Sequence, residues 1–273
     1  MKRLTVDGLS LAYEEAGSGA ETVVMSHSYL VDHRQFADQI GALKQRYRVL
    51  AYDHRGHGQS DRPAESYNMD AIYRDAEAFI EATSAAPCHF VGLSTGGFVG
   101  LRLALRRPEL LASLVLMDTS AEAESLVKRV KYEAMFAVLR TAGFGPVTNT
   151  TMSIMFGPDF LNDPKRSEEV AVWRDRMTAN DVKSLVRFGR AIFGRDSLVD
   201  QLEQIEVPTL VMVGEHDDPQ PVPRSTVIAD AVPGAQLYVI PKAGHLSTIE
   251  SPIAVNAALT SFLGTGSLPP EES

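Results

Sequence analysis

Apolar and polar positions alternate over residues 4–6 and 9–13 on either side of Asp7 and Gly8, the pattern of two short strands joined by a tight hairpin turn. Short apolar runs follow at 22–25, 47–52, 87–91, 114–117, 209–213 and 236–240. Each is too brief for a helix, and turn-forming or polar residues punctuate the chain between them, so they predict buried strands. Between them the period changes. Met69, Ile72, Tyr73, Ala76, Phe79 and Ile80 recur at helical spacing within 68–82, and a helix opens near Asp32 or His33 and runs to Leu43. A further helix starts behind Ser94 and closes near Arg107 and Pro108, where proline cannot continue the hydrogen-bond ladder. Helices are also predicted over 223–232 and 252–263, and a polar tail over 264–273 is expected to fray. Strands alternating with helices at these lengths indicate a mostly parallel sheet covered on both faces.

The alternation stops for about 80 residues after the run at 114–117. Helices are predicted near 122–142, 147–157, 164–178 and 181–194, with no strand between them. An all-helical insert rich in Phe and Met and holding the chain's one Trp, placed between sheet strands, reads as a lid over the strand ends, where α/β folds bind ligands. The chain therefore divides into a first core segment (1–120), a helical cap (121–196) and a second core segment (197–273).

Composition narrows the class. With 44% hydrophobic and 22% charged residues the chain is a folded globular protein, and its net charge of −9 argues against nucleic acid or an anionic membrane as a partner. Cys88 is the only cysteine, which leaves no intrachain disulfide and no Cys-based zinc or redox site. The start carries no apolar signal segment and no run approaches 18 apolar residues, so a cytoplasmic protein is expected, as a monomer or homodimer.

The chemistry concentrates at Gly92, Ser94, Gly96 and Gly97, a G-x-S-x-G run between a strand and a helix. Small flanking residues permit a sharp turn that lifts the serine hydroxyl above the sheet edge. A serine hydroxyl needs a base, and the base needs an acceptor that fixes its tautomer. His245 leaves the last strand on the same side as Ser94, and Asp217 and Asp218 both leave the strand before it. The order Ser, Asp, His along the chain suits this fold class. The glycines do not form a G-x-G-x-x-G dinucleotide fingerprint.

With these motifs the chain resembles the α/β-hydrolases. The likeness runs through the Ser28 region, the loop from Asp53 to Ser60, the Ser94 turn, Gly214 to Asp217, and Gly244 and His245. The resemblance implies an eight-stranded, mostly parallel α/β sheet with a helical lid inserted after strand 6. It assigns Ser94 as nucleophile, His245 as base and Asp217 as orienting acid, with Asp218 as the alternative. The Thr95 and Tyr29 N–H groups would form the oxyanion hole. Ser28 stands where the family usually has glycine, and the His27–Ser28 opening is similar to that of enol-lactonases. Candidate substrate contacts are Ser28, Tyr29, Trp173 and Leu246. The loop around Asp53, His54, Arg55 and His57 is implied to be structural, with Asp53 and Arg55 bonding backbone. No metal and no cofactor are expected, and Asp32, His33 and Arg34 read as a solvated face, with substrate orientation at the pocket mouth as the alternative. The implied activity is hydrolysis of small carboxylic esters, with perhydrolase side activity as in the cofactor-free haloperoxidases. A 3-oxoadipate enol-lactonase or related lactonase, a C–C hydrolase of meta-cleavage products, and a non-catalytic ligand-binding member of the fold are the alternatives.

Overall fold

The computed structural model describes residues 1–269. Eight strands form one sheet in the order β1-β2-β4-β3-β5-β6-β7-β8. They span Lys2–Val6, Leu9–Ala16, Thr22–Ser26, Arg48–Tyr52, Cys88–Leu93, Leu111–Met117, Thr209–Gly214 and Gln236–Ile240. β1 and β2 pair antiparallel, as does β2 with β4, and every other pairing is parallel. β3, β5 and β7 are buried along their whole length, which is why they read as unbroken apolar runs. β8 closes the sheet as a half-buried edge.

Helices α1 (Ala37–Leu43), α2 (Met69–Ala82) and α3 (Thr95–Arg106) connect the first strands. The lid comprises α4 (Leu126–Ala142), α5 (Thr148–Met155), α6 (Pro158–Asn162), α7 (Ser167–Thr178) and α8 (Val182–Phe193), all between β6 and β7. Beyond it lie α9 (Val222–Ala231), α10 (Ser247–Glu250) and α11 (Pro252–Thr265). The expected tail at 264–273 begins one residue before the end of α11, and its positions 270–273 lie outside the described residues.

Two short helices escape the pattern. α6 has five residues and α10 has four, too few for a helical period to repeat. α4 begins at Leu126 rather than at 122, because the Ser125 side chain caps it by accepting the Lys128 N–H. No helix among the described residues is long and apolar enough to cross a membrane.

Candidate active site

Ser94 ends β5 and opens α3 with φ 54° and ψ −105°, a strained conformation for a non-glycine residue. Its backbone is held on three sides. The Ser94 N–H donates to Met117 O of β6 at 2.8 Å, and Thr119 Oγ1 and the Phe98 N–H donate to Ser94 O at 2.8 and 3.0 Å. The turn can form because α3 presses against the end of β3, where Gly96 leaves no side chain in the way.

Asp217 follows β7 and His245 follows β8, so the parallel sheet brings two distant loops to one edge. His245 Nδ1 lies 3.0 Å from both Asp217 carboxylate oxygens, and both side chains are buried. The Gln220 N–H donates to Asp217 Oδ1 at 3.0 Å, which leaves the carboxylate facing the imidazole. Asp218 instead lines the outer groove described below.

Asp118, at the end of β6, is a buried carboxylate that the sequence reading did not single out. Its Oδ1 accepts the Gly214 N–H at 2.7 Å, and its Oδ2 accepts from the Ser247 hydroxyl. It thus joins the end of β7 to the segment behind His245. Burial pushes its carboxyl well above the usual range, and the nearby Asp217 charge adds to that shift. The only sequence signal was an acidic residue directly behind an apolar strand.

Tyr29 follows the buried segment His27–Ser28. Ser28 donates its N–H to Gln35 Oε1 at 2.9 Å, and the His27 ring bonds Ser28 O through Nδ1 at 2.7 Å. These bonds fix a loop that carries serine where glycine is usual. Among the described residues neither the Tyr29 nor the Thr95 N–H donates to another backbone group. The Tyr29 hydroxyl donates to Leu185 O of α8 at 2.9 Å and is therefore committed to the lid.

The family model described as alpha/beta hydrolase fold matches residues 21–252. The chain belongs to the alpha/beta hydrolase family. It is 30% identical over 271 residues to a protein named for carbamate hydrolysis in Caulobacter sp. (strain K31), covering 96% of this chain and 98% of that one. The solved enol-lactonase from Burkholderia xenovorans LB400 superposes with a TM-score of 0.89 at 28% identity, covering 96% of this chain and 99% of that one. A thermophilic esterase from Thermogutta terrifontis gives 0.89 at 25% identity, with 96% and 98% covered.

In this hydrolase Ser94 and His245 face one cavity of about 50 Å³ beneath the lid. Phe98, Met155, Ile192 and Phe193 line it, and among the described residues no lysine or arginine does. Arg129, Arg174, Arg187 and Arg190 all lie elsewhere, and Arg190 is paired with Glu133 at 2.7 Å. Tyr132, Met135, Ile154 and Pro219 line both this cavity and an open vestibule of about 610 Å³, where Lys128 and Lys131 of α4 stand at the rim. Trp173 lies outside the cavity, in a surface groove beside Arg34 and Ile249, with the Arg176 guanidinium 4.6 Å over its ring. Ser28 and Leu246 are buried and do not line the cavity either.

The loop after β4 packs against the hydrolase site without entering it. His27, His54 and His57 are buried with their rings edge to face, and Phe188 of the lid covers His57 at 4.4 Å. Asp53 accepts the His33 N–H and ring Nδ1 through Oδ1, and the Gln59 N–H through Oδ2. Arg55 differs from the expectation: its main partner is Asp75, held through two contacts of 2.5 Å, with only a 3.4 Å bond to backbone at Ala71. The reading of Asp32 and His33 as a solvated face is corrected too. Both are buried, because Asp32 caps the turn over His33–Phe36 and His33 is drawn inward by Asp53. Asp32, His33 and Asp53 bring ligand-type atoms within 4.8 Å of one another. Arg34 and backbone N–H groups already occupy their carboxylate oxygens, so this donor set is internally satisfied.

Proposed function

We propose that this chain is a serine hydrolase that cleaves carboxylic esters of small to medium apolar substrates through an acyl-enzyme on Ser94. The observation that carries this reading is a serine and a histidine facing one apolar cavity with no cationic side chain among the described residues of its wall. Ser94 Oγ attacks the ester carbonyl carbon while His245 Nε2 takes its proton. Asp217 holds the ring through Nδ1 and stabilises the imidazolium. The oxygen that gains charge is received by the Thr95 and Tyr29 N–H groups. Collapse of the tetrahedral intermediate breaks the acyl–oxygen bond, and His245 returns the proton to the leaving alcohol. A water molecule then repeats the sequence on the acyl-enzyme, releasing the acid and restoring Ser94.

A lactonase is the second reading, favoured by the Ser28 opening and the likeness to the enol-lactonase. A substrate that bears a carboxylate would have to direct it towards Lys128 and Lys131 in the vestibule, since the cavity offers it no cation. Turnover of a panel of p-nitrophenyl esters, enol-lactones and a meta-cleavage product by the wild type and Ser94→Ala tests both. Short esters are expected to be the best substrates, with Ser94→Ala inactive. Preference for the enol-lactone or the C–C substrate would overturn the ester reading.

A further inference from the structure

Three backbone N–H groups converge on one buried carboxylate that takes no part in the chemistry above. Glu250 closes α10, and its Oε2 accepts from Gly157 and Gly244 at 2.8 and 2.9 Å, while Oε1 accepts from Leu246 at 3.2 Å. Gly244 and Leu246 are the two neighbours of His245. Gly157 belongs to the lid, between α5 and α6. The two backbones nearly touch there, since a Cβ on Gly244 would stand 2.2 Å from the Gly157 nitrogen. The Leu246 N–H is shared with Met155 O of the lid at 3.1 Å. Arg166, also in the lid, donates to Glu250 O and Ile249 O at 2.6 and 2.7 Å.

This arrangement meets a need that Asp217 leaves open. Asp217 restrains only the Nδ1 end of the imidazole, and the loop around His245 has no helix or strand of its own. Where Nε2 stands relative to Ser94 depends on the backbone at 244 and 246, the two positions Glu250 grips. Burying a carboxylate is costly unless donors satisfy it, and charge-assisted bonds to N–H groups are among the stronger ones. Resting on the reading of His245 as the base, we propose that Glu250 is a positioning residue for His245. It also welds the α5–α6 turn of the lid to the His245 loop, so that base and lid keep one register.

The experiment compares Glu250→Gln and Glu250→Ala with the wild type and Ser94→Ala, using p-nitrophenyl acetate kinetics and proton NMR of the His245 Nδ1–H. A misplacement of about 1 Å costs roughly 10²-fold in rate, so Glu250→Ala is expected to lose about that much kcat with KM within about twofold. The amide in Glu250→Gln keeps one accepting oxygen and turns an NH2 towards the remaining N–H. It is expected to restore part of the loss, leaving kcat about tenfold below the wild type. The Nδ1–H signal should shift or broaden in both variants. Should Glu250→Ala fail to fold, Glu250→Gln decides: wild-type kcat with an unmoved Nδ1–H signal overturns the proposal, as does a rise in KM at constant kcat. If instead the wild type has no esterase activity, or Ser94→Ala keeps it, the parent reading fails and the NMR shift alone still reports whether Glu250 sets the ring.

Discussion

Gly96 lies directly against the Ser26 carbonyl, and a Cβ at that position would stand 1.9 Å from the oxygen. Ser26 is the last residue of β3, and Tyr29 follows three positions later, so this contact sets the Ser94 turn against the loop that carries the Tyr29 N–H. Backbone cannot yield as a flexible side chain can. Gly96→Ala is therefore expected to destabilise the fold by about 2 kcal/mol or more and to lower kcat out of proportion to the protein left folded. Urea denaturation beside kcat measured on the folded fraction checks this. A variant with wild-type stability and turnover would show that the turn accommodates a methyl group.

The Asp217–His245 bond makes a second expectation quantitative. Asp217→Asn preserves shape but lets the amide favour the wrong imidazole tautomer, and the expected loss in kcat is about 10⁴-fold with little change in thermal midpoint. Asp218→Asn, in the vestibule, should change kcat by less than about threefold. Parallel kinetics of the two variants separate the neighbours, and equal losses would point to Asp218 as a partner of the base.

Met135 and Ile154 line both the inner cavity and the vestibule, so they stand where the two spaces meet. Trimming a side chain at that junction should admit longer acyl groups. In Met135→Ala, kcat/KM for a p-nitrophenyl hexanoate ester is expected to rise roughly tenfold relative to the acetate ester, the scale of one or two methylenes in an apolar pocket. An unchanged chain-length profile would place the acyl group elsewhere.

Acid should weaken the fold through the buried histidines. Burial holds His27, His54 and His57 below the usual range, with His57 at about 3. Between that value and about 6.5 the unfolded chain binds a proton that folded His57 refuses. Its contribution is thus present above pH 6.5 and is lost as pH falls, by about 2 kcal/mol between pH 7 and pH 5. His33 works in the opposite sense: despite its burial, the Asp53 hydrogen bond raises it, so it favours the fold at low pH and that favour fades as pH rises. His89 is lowered as well, whereas the carboxyls of Asp118, Asp75 and Glu250, raised by burial, act in the same sense as His33, so the His57 share is read as a difference between the wild type and His57→Phe. The fall in urea stability from pH 7 to pH 5 is expected to be smaller in His57→Phe by about 2 kcal/mol, and an equal change in both proteins would contradict it.

The sheet was legible because its strands are either unbroken apolar runs or a hairpin around Asp7 and Gly8, and the insert after β6 because no apolar run interrupts its helices. The hydrogen-bonded Asp217 and His245 could be paired in advance for a topological reason: consecutive parallel strands end at the same edge. Glu250 and Asp118 could not. Their importance lies in backbone N–H groups brought to them from distant segments, and nothing in residue type or spacing records such a meeting. Trp173 is the converse case. A large aromatic in a lid suggests a pocket wall, yet its face of α7 turns towards Arg34 and Ile249. Asp32 and His33 looked like solvated polar residues because the buried carboxylate that recruits His33 lies 20 positions further on.

Lys128 and Lys131, described above as rim residues, belong to a helix with two more arginines, Arg129 and Arg140, against the single acid Glu133. The molecule as a whole carries −9. Two lysines against the single Asp218 give this mouth a local positive excess on an acidic body, and such local fields concentrate anions and fade with added salt. Hydrolysis of an ester turns a neutral molecule into an anion. On the ester reading proposed above, this mouth would hold the departing anion more than the arriving ester, so added salt is expected to speed product release.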